Sequence, residues 1–293
     1  MIARAAGIAG VVALLAAPLV ASPYHLTLLL PAFAYGIALL GLNLLFATTG
    51  LLSFGHALFV ALGAYTAAWL TTRAGVRALE LIVLAAAVVA AAVAVPVGLL
   101  CVRYVKIYFG MLTLAFGMLF YSFLYKFYAL TGGDEGMRVL RPTLLGRPFA
   151  ELDKVAFLTG PFYYAALALL AAAALVMWRI VRSPFGLSLR AIRENADKAA
   201  FVGVSVRRYR FYAFVIAAVF GAVGGTLLAV PTGLADPLLA YWTHSGNLVF
   251  IFLQDAVMSL TAYWRFVFGA LLAVVVIFFP GGLLGLLARE RTA

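Results

Sequence analysis

The chain has 293 residues, 66% of them hydrophobic and only 11% charged. A water-soluble globule carries about 45–50% apolar and roughly 25% charged residues, so this composition excludes one and points to an integral membrane protein. The net charge of +11 would suggest nucleic acid in a soluble protein, but here the basic residues lie between apolar runs, where they orient spans toward the cytoplasm. A single cysteine, Cys101, makes no internal disulfide, and no Cys/His spacing suits a metal.

A spanning helix needs about 20 apolar residues. The hydrophobic content, about 193 residues at 66% of 293, supplies nine or ten spans at most, so one membrane domain over residues 1–293 uses it up. Uncharged apolar runs fall at 7–21, 27–46, 56–72, 81–101, 107–125, 162–178, 211–230 and 266–287. No barrel alternation is visible, so the expectation is an all-α polytopic bundle of about eight spans.

The first run reads as a retained helix. The alternative is a signal peptide, with Arg4 as its positive region and a cut between Ala21 and Ser22. With the amino terminus inside, 13 of the 21 basic residues and three of the ten acids fall on inner segments, giving +10 inside and +1 outside. Both termini are therefore expected in the cytoplasm.

Two connections stand out by length. Residues 126–161 form an outer loop with Gly132, Gly133, Asp134, Glu135 and Gly136, a composition that suits turns. Residues 182–210 form an inner loop, in which Ser183 and Pro184 read as an N-cap and first helical position. Leu187, Ala191, Ile192, Asn195 and Ala199 continue at helical spacing, and Gly203 ends the predicted helix.

The chemistry the spans lack is informative. An ionisable group at the bilayer centre costs about 2.5–3.5 kcal/mol and usually marks an ion path. The eight runs contain no Asp, Glu, Lys or Arg, which argues against a carrier built on a buried carboxylate. The sequence has no G-x-x-x-x-G-K-[ST] phosphate cradle, so any ATP would be hydrolysed by another subunit. Ser53 and His56 stand three residues apart, but no acid lies nearby to orient the imidazole, so a serine hydrolase is not expected.

Three segments carry the signal. Asn43 to Tyr65 mixes Gly50, Gly55 and Gly63 with Thr49, Ser53 and His56, a pattern equally suited to close helix packing and to a broken helix facing a cavity. The inner helix bears Arg190, Arg193, Glu194, Asp197 and Lys198. By composition it reads first as an amphipathic or solvated face, and second as a docking surface. The cluster Thr131 to Met137 reads as a turn, because calcium binding needs more oxygens at regular spacing.

In this order the segments resemble the permease subunits of ABC importers for branched-chain amino acids, the LivM-like branch. The pattern N-L-x-x-G-x-x-G-x-x-S-x-G-x-A…G-A-Y is met by Asn43, Gly50, Ser53, Gly55, Ala57, Gly63, Ala64 and Tyr65, with Ala47 replacing one glycine. Thr113 to Phe116 and Leu130 to Gly136 meet T-L-A-F and L-T-G-G-x-x-G. Ser183, Gly186, Leu189, Arg190, Ala191, Ile192, Arg193, Glu194, Gly203 and Val204 meet the inner-loop pattern, and Phe278, Pro280, Gly282, Leu283, Gly285 and Leu286 the terminal one.

What the resemblance implies is a permease working by alternating access in the bacterial inner membrane, and not an enzyme. Its expected partners are ABC ATPase subunits that consume the ATP, a second related permease, and an extracytoplasmic binding protein; no cofactor belongs to this chain. The substrate would be a branched-chain amino acid, with urea or short amides as relatives' alternatives. Arg190, Arg193, Glu194 and Gly203 would couple it to the ATPase, and Asn43, Thr49, Ser53, His56, Tyr65 and Thr113 would line the substrate pathway. The rival reading is a secondary transporter or channel without an ATPase. One departure is marked: after Ser245 to Phe250 the usual glycine-rich turn and its return leg are absent, and the chain runs directly into Gln254 to Met258. Impaired transport is the expected consequence.

Overall fold

The computed structural model describes residues 14–104, 107–149 and 151–241. The chain separates into two units, Met1–Ser245 and Gly246–Ala293, and every described residue belongs to the first. The run at 266–287 and the shortened region after Phe250 lie outside the described residues.

Helix follows the apolar runs. Residues 14–20 are helical (α1), and α2 (Pro23–Asn43) continues into a π-helix over Leu44–Thr49. Then come α3 (Ala57–Thr72), α4 (Leu79–Cys101), α5 (Ile107–Lys126), the short α6 (Tyr128–Thr131) and α7 (Lys154–Thr159). The chain continues through α8 (Pro161–Arg182), α9 (Pro184–Glu194), α10 (Ala196–Phe201) and α11 (Val206–Thr232). Two-residue strands β1 (Met137–Arg138) and β2 (Leu234–Ala235) pair antiparallel, with Met137 opposite Ala235. The protein is an all-α polytopic membrane protein: five of the described helical stretches are long and apolar enough to cross a bilayer.

Two helix lengths have consequences. α3 has 16 residues and so rises about 24 Å, less than the roughly 30 Å of hydrocarbon. The remainder of that crossing falls to the non-helical stretch before it. α11 has 27 residues, rises about 40 Å, and starts five residues before the run 211–230. Arg207, Arg208 and Arg210 therefore belong to its first turns, beyond or at the edge of the apolar layer.

α11 is the centre of the bundle, enclosed by α2, α3 and α4. Lipid tails are as apolar as leucine, so helices in a membrane gain little from apolar burial and associate through close backbone approach at small residues. The α11 sequence supplies them: Ala213, Ala217, Ala218, Gly221, Ala222, Gly224 and Gly225 are all buried. A methyl group added at Gly63 would stand 1.9 Å from the Ala222 carbonyl oxygen, and one at Gly225 would stand 1.8 Å from that of Val60. Thr226 Oγ1 donates across the same seam to the Gly63 carbonyl at 3.3 Å. By contrast α4, α5 and α8 turn Leu84, Val88, Leu119 and Val176 outward, as lipid-facing helices do.

Gly225→Leu is expected to unfold the seam. Overpacking typically costs about 1–3 kcal/mol, and the obstructing atom here is backbone that cannot rotate away. Thermal unfolding in detergent would show a large drop, while Leu119→Ala, on an exposed face, would leave the midpoint nearly unchanged.

At the β1–β2 end the cluster from Thr131 to Gly136 forms a turn, as its composition suggests. Gly132, Gly133 and Gly136 all have positive φ, and Thr131 Oγ1 donates to the Leu124 and Phe127 carbonyls. A side chain at Gly136 would strike the Ala235 carbonyl oxygen at 2.4 Å, so glycine permits the strand pairing that follows.

Candidate functional site

The helix begun at Pro23 does not return directly as α3. Its last six residues widen into a π-helix, where the Thr49 hydroxyl donates back to the Leu44 carbonyl at 2.9 Å. Gly50 ends it with φ +76, a conformation that L side chains adopt only under strain. Residues 51–56 are then non-helical until Ala57 starts α3. Irregular backbone at membrane depth must be enclosed by protein or line a cavity. Here α5 encloses it: a methyl group at Gly55 would lie 1.9 Å from the Thr113 carbonyl oxygen, and one at Gly117 would lie 3.2 Å from the Gly55 Cα.

This segment climbs from one end of the bundle to its middle. Gly50 rests against Arg193 of α9, whose Cγ lies 3.1 Å from the position of a Gly50 Cβ. Six residues later, His56 Nε2 lies 3.2 Å from the position of a Cβ on Gly221, a little past the midpoint of α11. The imidazole meets Phe59 edge to face at 5.9 Å, Phe59 meets Phe214 at 5.6 Å, and Phe214 meets Phe109 at 6.0 Å.

Inside that apolar enclosure sit polar groups that lack a well-formed hydrogen bond among the described residues. Ser53 is 3% exposed and His56 2%, yet among the described residues neither Ser53 Oγ nor either ring nitrogen of His56 makes a well-formed hydrogen bond, the ring having only an approach to the Ala38 backbone. A buried polar group without a partner costs about 1–3 kcal/mol, so its presence calls for a reason outside the fold. An imidazole and a hydroxyl can each donate and accept, which suits a polar, uncharged or zwitterionic solute.

The other residues singled out from sequence are placed differently. Thr113 is buried beside Gly55, but its hydroxyl is spent on the Gly110 carbonyl at 2.8 Å, so it presents mainly packing. Thr49 is likewise buried and bonded within its own helix. Asn43, the last residue of α2, is exposed and stands apart from the buried group. Tyr65 lies two and a half turns further along α3, its hydroxyl buried without a partner, lining a cavity of about 430 Å³ with Leu62, Thr66, Trp69 and Met137. A larger apolar groove of about 1010 Å³ runs between α4 and α8 and contains none of these groups.

The 182–210 loop departs from the expected single helix. Ser183 caps α9 as its sequence suggests, accepting from the Gly186 amide. At Asn195 the backbone turns extended, and the Asn195 side chain accepts from the Lys198 amide at 2.9 Å to cap a second helix, α10. Asparagine competes with helix by this bond, and the helical spacing of Leu187, Ala191, Asn195 and Ala199 concealed it. Leu189, Ile192 and Ala199 anchor the pair to the bundle, and Gly203, φ +90, ends it. Arg190 donates to the Val181 carbonyl at 3.3 Å, and Arg193 donates to the Ala47 carbonyl, so both guanidinium groups turn toward the bundle. Glu194, Asp197 and Lys198 stay exposed. So do Phe201, 91% exposed, and Val202, 80% exposed, which the sequence reading passed over although both follow the last buried residue of α10.

Residues 24–280 match the family model described as the permease component of branched-chain amino acid transport systems. Two relatives, each the high-affinity branched-chain amino acid transport system permease protein LivM, come from Escherichia coli (strain K12) and Salmonella typhimurium (strain LT2). Each is 31% identical over 224 residues, covering 69% of this chain and 52% of the relative. The chain thus spans about half the length of the curated relatives it matches. No solved structure matches it. With a bundle of apolar helices and a family match that covers most of its length, this chain belongs to the branched-chain amino acid transport system permease family.

Proposed function

We propose that the chain is a permease subunit of an ATP-driven importer for branched-chain amino acids in a bacterial inner membrane. The observation that carries this reading is the enclosed, non-helical segment 51–56, whose Ser53 and His56 are buried near mid-depth without partners, in a chain of this family. The aliphatic end of the solute passes along apolar walls such as Phe59 and Phe214, while the hydroxyl and imidazole replace part of the water lost by its polar end. Tyr65 belongs further along the same route, buried Thr49 and Thr113 border it, and exposed Asn43 lies outside it. The cycle is alternating access, with both termini and the 182–210 loop on the cytoplasmic side.

Energy comes from partner subunits. Separate ABC ATPases hydrolyse the ATP, a second related permease completes the membrane core, and an extracytoplasmic binding protein delivers the solute. The chain itself performs no catalysis and holds no cofactor. The ATPase meets the 182–210 loop, where Glu194, Gly203 and the exposed tip Phe201–Val202 present the contact. An exposed aromatic beside a polar rim is the usual anchor of such an interface.

Two measurements test this. Proteoliposomes containing the full assembly should accumulate leucine only with ATP, and more slowly than with a version in which the glycine-rich turn after Phe250 is restored, and vesicles with this chain alone should not; ion-driven uptake by the chain alone would establish a secondary transporter instead. Phe201→Asp should reduce recovery of the ATPase on an affinity-tagged permease at least ten-fold, with the same yield of folded permease. Equal recovery would place the contact elsewhere.

A further inference from the structure

The guanidinium of Arg193 is aimed at a single backbone atom of the broken helix. Its Nη1 donates to the Ala47 carbonyl oxygen, four residues into the π-helix. That oxygen is short of a backbone donor for a local reason. The amide four residues on belongs to Leu51, which bonds Leu45 at 3.0 Å, and the chain leaves helical geometry at Gly50, so the next amide is carried away. The stem of Arg193 lies on Gly50 itself, with Cγ, Cβ and Cα at 3.1, 3.7 and 3.9 Å from the position of a Gly50 Cβ. The same helix α9 is held by buried Leu189 and Ile192, and its Arg190 reaches the Val181 carbonyl near the end of α8.

We infer that Arg193 is a transmission residue: it clamps α9 to the Ala47–Gly50 end of the pathway helix, so that displacement of α9 is delivered to the segment bearing Ser53 and His56. This rests on the importer reading above and deepens it, because it separates two tasks within one loop. The α10 tip, Phe201–Val202, holds the ATPase, and the α9 arginine passes the motion on. The chemistry favours arginine. A planar, permanently charged fork can keep one donor on a carbonyl while its stem packs on the backbone next to it, and a charge-assisted bond is roughly twice as strong as a neutral one. Gly50 is the complementary part: its left-handed φ makes it the point at which the π-helix can pivot, and a side chain there would push Arg193 off.

The test uses the complete assembly in proteoliposomes, with leucine as solute, and compares the parent chain with Arg193→Ala and Arg193→Lys. Three quantities are read: ATPase recovered per permease, ATP hydrolysed, and leucine imported per ATP. The expected result for Arg193→Ala is parental ATPase recovery, continued hydrolysis, and at least a ten-fold fall in leucine per ATP. Arg193→Lys should recover part of it, since lysine keeps one charged donor. Hydrogen exchange supplies the structural readout: amides of 44–56 should exchange faster in Arg193→Ala, while those of the α3–α11 seam stay unchanged.

Unchanged import per ATP would overturn the inference. Loss of ATPase recovery on Arg193→Ala would also overturn it, making Arg193 an interface contact while leaving the importer reading intact. Failure of the parent chain itself to retain any ATPase would remove the importer reading and the inference with it.

Discussion

His56→Leu is expected to raise thermal stability while lowering leucine import by the assembled transporter at least ten-fold. The sign follows from burial. The imidazole is 2% exposed, packs edge to face on Phe59, and among the described residues neither nitrogen has a well-formed hydrogen bond, only an approach to the Ala38 backbone. Replacing an unsatisfied buried polar group by an apolar one of similar size removes a penalty of about 1–3 kcal/mol. A residue retained for packing would give the same or better stability with import untouched. A gain in unfolding temperature coupled to a loss of import marks a group kept for the solute. Ser53→Ala should follow the same pattern with a smaller loss, since one hydroxyl is removed and its void is small. Normal import by His56→Leu would sink the assignment of the 51–56 segment to the pathway, and a fall in stability would mean that the imidazole has a partner within the fold.

Gly55→Val is expected to abolish import and to destabilise the bundle together, the opposite signature. The added Cβ would lie 1.9 Å from the Thr113 carbonyl oxygen and 2.5 Å from its carbon, both backbone atoms of α5. No rotamer relieves that, so either α5 retreats or the 51–56 segment leaves its place. A compensating change on α5 is hard to find, because its neighbouring Gly117 has no side chain to trim and a Cβ added there would lie 3.2 Å from the Gly55 Cα. The measurement is unfolding temperature alongside folded yield, with import read in parallel. A stable, active Gly55→Val would show that α5 does not press on the segment in the membrane.

Much of the fold was legible in the order of residues. Apolar runs near 20 residues, bounded by charge, locate α2, α4, α5, α8 and α11 within a few residues, because a bilayer leaves no other economical state for such runs. Ser183-Pro184 marked the start of α9 and Gly203 the end of α10, since capping and left-handed termination are local chemistry. The motif from Asn43 to Tyr65 was visible too, but its two readings, close packing and a broken helix, were indistinguishable. Both turn out to be present: Gly63 packs on α11, and Gly50 to His56 is the break.

What the sequence by itself determined is the solvent of this protein, its helical class, its family and the capped ends at Ser183 and Gly203, all of which depend on neighbours a few residues apart. Tertiary structure alone decided which polar residues are lone and which are spent. Thr49 and Thr113 look like Ser53 and His56 in a string of letters, yet the first two find carbonyls within their own turns and the second two find none. It also decided that Arg193 faces the bundle and Phe201 the outside, against the ordinary expectation for a cation and an aromatic ring. The physical reason is the same in each case: a hydrogen bond or a burial depends on atoms supplied by another helix, and residues 47 and 193 become neighbours only when the chain has packed.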